Sequence, residues 1–469
     1  MSINNAGNGG FIWLQRIIVL VVVVLHFISG TSSWAETENM GASAESSDTL
    51  TIPPDSGLAK ALKAALTLHP SVRGQQALLE GAAFNQDASF AQRLPTLSFD
   101  GDTLGEQNQG TLVVQQPLWS FGRIDTQVNL AKAGLRTEQI ALLQVRRDLL
   151  EETALAYASI DGLRRQMAVA EENIEAHRTF HDRIVRRQRG GVASEADVQF
   201  AYGRLVRAES TLANYQGQLA VAESRLRALT LADVDTHQAV NPEWFIFADD
   251  DLLEQRIVDM SADMLTSRQR LVTAELNIKQ AKFESMPTLA FQVERDVPND
   301  PENSERIRSG LTLQASFGGM GYGSYSSVRS YQSQRTAAQQ EVQATEVELR
   351  REVQSLQINL AMQLRLQTAQ AAAVSAVRET LASFIRQYET DRKSWIEVLN
   401  TQRELSQEQL ELVSIESSVL EARLQLASMA GLLDTTAQVA ALPPLPVPEQ
   451  PWKLQHGPAS KFRPLAPVK

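Results

Sequence analysis

The chain has 469 residues, no cysteine and a formal net charge of −11. The length allows one large or several small domains. The missing thiols exclude disulfides, thiolate metal sites and cysteine nucleophiles, and the acidic balance argues against a nucleic-acid partner. Ala, Leu, Gln, Glu and Arg are plentiful, which suits long helices better than a compact α/β core.

Residues 1–35 read as a secretory signal. Arg16 precedes an apolar run from Ile17 to Ile28 with His26 as its main blemish, and Ser33-Trp34-Ala35 offers small residues at −3 and −1 for cleavage before Glu36. An uncleaved anchor is the alternative, but the run is short for a membrane span. No cysteine follows it to take a lipid. The chain is therefore expected to be exported, in a Gram-negative cell to the periplasm or outer membrane. No later segment is long and apolar enough for a transmembrane helix, so further membrane contact must use strands. Residues 36–57, with Pro53-Pro54, read as a linker.

The first structural repeat is predicted over 58–231. It opens with one helical stretch to Gln92, where Leu58, Leu62, Ala65, His69 and Val72 follow the three-to-four spacing. A hairpin follows over 94–118, with Leu97 and Phe99, then Leu112 and Val114, alternating with polar residues. A proline-free stretch from Ile124 to about Arg187 then carries a heptad-like seam from Leu142 through Leu149, Ala156 and Ile160 to Ile174. At 1.5 Å per residue such a helix is about 100 Å long, which points to coiled-coil or helical-barrel packing. Gly190-Gly191 breaks it, and a second helix runs from Glu195 to Leu229.

Residues 232–260 read as a connector. The second repeat, 261–436, follows the same plan: a helix, a hairpin over 287–316, a helix from Val328 to Tyr388, a break at Thr390-Asp391, and a helix from Trp395 to Met429. In the second hairpin Leu289, Phe291 and Val293, then Leu311 and Leu313, occupy alternate positions. Residues 437–469 are a proline-rich tail.

The two repeats echo each other in sequence. Leu94-Pro95-Thr96-Leu97 returns as Met286-Pro287-Thr288-Leu289, Ser120-Phe121-Gly122 as Ser316-Phe317-Gly318, and Ser194-Glu195-Ala196-Asp197-Val198 as Ser394-Trp395-Ile396-Glu397-Val398. Such duplication builds pseudo-symmetric objects. An apolar strand face between long helices has little soluble core to cover, so it is expected to meet lipid. Only closed barrels leave no unpaired strand backbone in hydrocarbon, and they start at about eight strands. Two hairpins supply four, so closure demands several copies. Trp119, Phe121, Phe317, Tyr322 and Tyr325, just past the strands, suit an interfacial aromatic belt; helix-start packing is the alternative.

The plan resembles the outer-membrane factor (TolC) family of export ducts. The motifs that carry the likeness are Leu94-Pro95-Thr96-Leu97, Gln115-Gln116-Pro117-Leu118-Trp119-Ser120-Phe121-Gly122 and the run Gly190 to Val198, within about residues 57–436. The resemblance implies a mainly α fold with a small β part. It also implies a homotrimer whose twelve-stranded outer-membrane β-barrel continues into a periplasmic α-helical barrel. Implied partners are outer-membrane lipid, a periplasmic adaptor (membrane fusion protein) and an inner-membrane ABC or RND transporter. No cofactor, metal or enzymatic activity is expected.

By the same resemblance, Gly190, Gly191, Val192, Ser194, Asp391 and Ser394 sit on two helix-hairpin tips that touch the adaptor. Glu397 constricts the tunnel, with Asn400 one turn later where a second acid is often found. Asp197, Tyr388 and Lys393 form a latch, although Ala196 lacks a hydroxyl that would take part. For Glu397 a solvated helix face is the alternative. Type I protein secretion is favoured because no lipidation cysteine follows the signal. Small-molecule efflux is the alternative, and a soluble periplasmic coiled-coil scaffold is a further rival. His177 and His181 are spaced i,i+4 but lack a third ligand, so a solvated face is expected there. Gly318 to Gly323 lacks the Lys-Ser/Thr of a phosphate loop and reads as a turn matching Gly122. Arg183, Arg186, Arg187 and Arg189 read as a solvated face, or as an electrostatic dock for the adaptor.

Overall fold

The structure, a computed structural model, describes residues 52–102, 109–246, 250–298, 306–316, 318–390 and 392–436. The signal and tail regions, most of the N-terminal linker, Phe317 and Asp391 lie outside the described residues. In chain order the elements are α1 (Gly57–Leu68), α2 (Pro70–Ala91), β1 (Thr96–Asp102), β2 (Gln109–Trp119), α3 (Arg123–Arg189) and α4 (Glu195–Thr230). A 3₁₀ turn (Pro242–Phe245) and α5 (Asp250–Met260) connect these to α6 (Ala262–Glu284), β3 (Thr288–Pro298), β4 (Ile307–Gln314), α7 (Tyr322–Glu389), α8 (Trp395–Met429) and α9 (Leu432–Thr436).

The four strands form one antiparallel sheet in the order β1-β2-β3-β4. Its register pairs Leu97 with Val114, Phe99 with Leu112, Val114 with Val293, Phe291 with Leu311 and Leu289 with Leu313. Directly paired residues share a face, so every apolar residue of the predicted alternation within the strands falls on one side. The other side carries Thr96, Ser98, Thr111, Gln115, Gln292, Glu294 and Thr312, with Val113 and Ala290 as apolar exceptions. Leu97, Phe99, Leu311 and Leu313 are each at least 65% exposed. In β2 the register shifts between Pro117 and Trp119. Pro117 cannot donate to the ladder, and a bulge is where a strand tolerates that.

Two departures from the sequence reading have local causes. The first helical stretch is two helices, because Pro70 has no N–H and would clash with the preceding turn. His69 turns extended instead and becomes the N-cap of α2, accepting from the Ser71 N–H at 3.3 Å. Leu58, Leu62, Ala65 and Val72 are buried as the periodicity predicts. The second departure concerns the entry to the long helices. Gly122 caps α3 at φ 90°, and its counterpart is Gly321 at φ 93°, not Gly318. Gly318-Gly319-Met320 form an extra 3₁₀ turn, with Met320 fully exposed.

α3 is the hub, packing against α1, α2, α4, α6, α8 and α9. Its predicted seam is buried at Leu142, Leu149, Ala156, Ile160 and Ile174, and further residues such as Ile140, Leu150 and Tyr157 bury other faces. Gly162 lets α8 approach: a Cβ there would lie 2.5 Å from Ser417 Oγ. The main core joins α1, the middle of α3, Phe245 of the connector, Ile257 of α5 and the far end of α8. Arg147 of α3 closes it. Its guanidinium donates to Asp434 Oδ2 of α9, at 2.9 Å from Nε and 2.7 Å from Nη2, and also to the Met260 carbonyl.

Arg147 and Asp434 side chains are only 9% and 14% exposed. Asp434→Ala should therefore cost about 3 kcal/mol by stranding a buried cation, whereas replacing both residues with apolar ones of similar volume should be close to neutral. Denaturant unfolding of the three proteins checks this; equal losses in both variants would contradict it.

Candidate functional site

The two places where long helices reverse lie side by side. A small core made of Phe180 and Ile184 (α3), Ala201 (α4), Val374, Leu381 and Tyr388 (α7), and Val398, Leu399 and Leu405 (α8) packs them together. The predicted tip and latch residues, Asp391 outside the described residues excepted, are thus brought to one end of the helices.

Each tip is built by helix-capping chemistry. At the first, Val192 N–H donates to the Arg187 carbonyl and Gly191 N–H to that of Gln188, both at 2.9 Å. Gly191 sits at φ 75°. These are the crossed bonds of a Schellman ending, which needs a left-handed residue. At the second, Arg392 N–H reaches the Gln387 carbonyl at 2.9 Å in the same pattern. Both following helices begin with a capping box. Ser194 N–H donates to Asp197 Oδ2 at 2.8 Å, and Asp197 N–H to Ser194 Oγ at 3.2 Å. Ser394 N–H donates to Glu397 Oε2 at 3.1 Å. The repeated Ser-x-x-acid motif is therefore structural at both tips.

The tips differ in what surrounds the acid. Glu397 Oε1 also takes a charge-assisted bond from Lys393 Nζ at 2.6 Å, and that ammonium lies 4.1 Å over the Phe384 ring. The Lys393 bond first, and the Ser394 N–H second, hold the Glu397 carboxyl below the usual carboxylate range. Among the described residues Asp197 makes only its cap. Tyr388 is buried and faces Arg187, whose Nη1 is 3.5 Å from the phenol and whose guanidinium stacks 5.4 Å from the ring. Within one chain Tyr388 bonds Arg187 rather than Asp197. Val192 projects at 67% exposure, and Ser194 and Ser394 are exposed.

Above the tips, Asn400 accepts from Arg204 Nη2 at 3.3 Å. Sequence reasoning missed Arg204. The only hint was its position, seven residues past the Asp197 cap and thus two helical turns up. His177 also departs from expectation. It is 3% exposed, because α4 and α8 both cover α3 there, while His181 stays half-buried 3.4 Å from Asp182. Burial first, and Arg204 second, push the His177 imidazole down to about 4.

At the opposite end, the polar side of the sheet meets the helix starts at a hollow of ≈ 430 Å³. Gln92, Thr96, Gln115, Gln280, Thr288 and Gln314 are among its lining residues. Trp119 and Phe121 stack at 4.4 Å beside the apolar face, and Tyr322 and Tyr325 lie 6.3 Å apart.

Comparison with known proteins follows this geometry. Residues 61–230 match the family described as outer membrane efflux protein. One curated relative, the outer membrane efflux protein BepC of Brucella suis biovar 1 (strain 1330), is 21% identical over 212 residues, 40% of this chain and 46% of that protein. The chain thus spans about half the length of the curated relative it matches. Among solved structures, a membrane protein of Pseudomonas aeruginosa superposes with a TM-score of 0.69 at 18% identity, covering 80% of this chain and 90% of that one. VceC of Vibrio cholerae gives 0.67 at 17%, covering 80% and 96%, and the CmeC channel of Campylobacter jejuni gives 0.69 at 14%, covering 86% and 91%. The chain thus shares the fold of VceC and of the CmeC channel, and its match to the outer membrane efflux protein family lies within residues 61–230.

A buried neutral histidine gives the folded state a defined acid response. Its folded value lies below the ordinary 6.5, so its contribution is complete above pH 6.5. The contribution falls as pH drops, because only the unfolded chain takes the proton, and it levels off near pH 4. The loss amounts to roughly 3 kcal/mol at 1.36 kcal/mol per pH unit. Denaturant midpoints measured from pH 7 to 4 should show this slope, and His177→Gln should flatten it; parallel slopes would refute the assignment.

Proposed function

We propose that this chain is the outer-membrane duct of a tripartite export system and works as a homotrimer. The sheet carries the reading. It has one apolar and one polar face, and both of its edges, the outer sides of β1 and β4, lack a strand partner among the described residues. Such a sheet is stable in hydrocarbon only if further copies close it, since an open edge strands backbone groups without water. Three copies supply twelve strands. The apolar face then meets lipid, the aromatic pairs mark the interface, and the polar face lines water. The long helices continue the wall into the periplasm. Exposed Ile358, Met362 and Leu366, one turn apart on α7, and Val221 on α4 are apolar positions that neighbouring copies would cover.

In this reading the duct is passive. The two tips form its periplasmic mouth, and Gly190, Gly191, Val192, Ser194, Asp391 and Ser394 meet a periplasmic adaptor that couples to an inner-membrane transporter. Glu397 and Asn400 border the constriction, and Asp197, Tyr388 and Lys393 act as the latch. The family description and the name of the curated relative both say efflux, which supports an export duct for small molecules as the first reading. Type I protein secretion is the second reading, favoured by the absence of a lipidation cysteine.

The protein should fractionate with outer membranes and run as a trimer in mild detergent; a soluble periplasmic monomer would overturn the duct reading. In planar bilayers, Asp197→Ala combined with Tyr388→Phe should raise single-channel conductance. Tyr388→Phe alone keeps the packing and separates the latch from the cap. Unchanged conductance in both would remove the latch.

A further inference from the structure

Three arginines near the tips have no ion-pair partner among the described residues. Arg204 lies on α4, Arg207 one turn beyond it, and Arg403 on α8 one turn beyond Asn400. Both helices start at a tip and run away from it. At 1.5 Å per residue, Arg204 and Arg403 stand at nearly the same height, about 12–14 Å above the helix starts. Arg204 bridges toward α8 through its 3.3 Å bond to Asn400 Oδ1, and its guanidinium stacks 5.0 Å from the Phe200 ring, which orients it. Arg207 and Arg403 are exposed.

None of the three pairs with a carboxylate among the described residues. Arg164, Arg165, Arg225 and Arg350, higher on the same bundle, all do. Glu209 and Glu404, adjacent along the helices, make no ion pair with them. Burial first, then Arg403 and Arg207, lowers the Arg204 value, so Arg204 feels both neighbouring charges. His177, on which Arg204 acts, is buried, and its Nδ1 has no partner among the described residues. Asn400 spends its Oδ1 on Arg204 and keeps its amide hydrogens to donate. A set of like charges with amide donors beside it and no ion-pair partner among the described residues is complementary to an anion. Planar guanidinium forks match the paired oxygens of phosphate, sulfate or carboxylate groups.

We propose that Arg204, Arg207, Arg403 and Asn400 form a binding site for small, polyvalent oxyanions. Its placement just inside the mouth rests on the duct reading; the site itself does not. Repeated in three copies, it would give the mouth a basic girdle above Glu397. Soluble solutes carrying phosphate, sulfate or several carboxylates would then be held on their way through.

Inorganic tripolyphosphate, titrated calorimetrically into the detergent-purified full-length protein at constant ionic strength, tests this. One site per chain is expected. Arg207→Gln with Arg403→Gln should weaken binding at least tenfold, while Arg204→Lys, which keeps the charge, should weaken it less than Arg204→Gln. Both surface glutamine variants should keep the wild-type melting temperature. No binding, or equal affinity across the variants, would overturn the proposal. So would binding of a triglutamate peptide without binding of tripolyphosphate, which would assign the site to a protein partner. Channels that conduct in bilayers but bind no tripolyphosphate would leave the duct standing and remove the site. Binding by a protein that forms no channel would do the reverse.

Discussion

The constraint on which the rest depends is the accounting of backbone hydrogen bonds in a four-stranded sheet. β2 and β3 are hydrogen-bonded on both sides along most of their length, but among the described residues the outer rows of β1 and β4 meet no strand. In water such edges are usually blunted by charge, bulges or covering loops. Here β1 is exposed from Thr96 to Gly101, and its side chains alternate Leu97 and Phe99 with Ser98 and Asp100. Neither the edge nor the apolar face is defended. A sheet built this way is unfinished, and in the proposed duct identical chains supply the edges that complete it.

The helices show the same economy. α3 and α7 are of nearly equal length, 67 and 68 residues, but are used very differently. α3 has neighbours on several sides and buries residues along its length. α7 buries few, among them Ala338, Leu349, Val353, Val374, Leu381 and Tyr388, and leaves apolar side chains in solvent. A single chain thus contains one finished helical seam and one waiting seam. Duplication supplies the material for both, and their inequality shows that the two repeats do not play equal parts within one subunit.

Much of this was legible in the sequence, because it depends on period. Alternation placed Leu97, Phe99, Leu289, Phe291, Leu311 and Leu313 on one sheet face, and the register agrees. The proline-free stretches gave the long helices to within a few residues. What escaped was set by tertiary neighbours or by single backbone angles. Pro70 was visible, but the continuing apolar spacing across it hid the break. Ser120-Phe121-Gly122 aligned with Ser316-Phe317-Gly318 by letter, while the left-handed cap that starts the helix fell on Gly321. The burial of His177 depends on two helices distant in sequence closing over it. Arg204 gained its meaning only when α4 and α8 were seen to rise together from the tips.

The tips show how far a motif can be read for function. Ser194-x-x-Asp197 and Ser394-x-x-Glu397 look like paired functional acids, yet each acid first satisfies its own helix start. Asp197 is held at that task by the Ser194 N–H. Glu397 is held by the Ser394 N–H and again by Lys393, so its charge is largely answered within one turn. An acid so engaged is a poor source of repulsion in a constriction, even when symmetry brings three together. Arg204, Arg207 and Arg403, about two to three turns higher, carry positive charge with no ion-pair partner among the described residues. If a charged ring governs passage through this mouth, the local chemistry makes it a ring for anions, with Glu397 and Lys393 acting as the rigid collar beneath it.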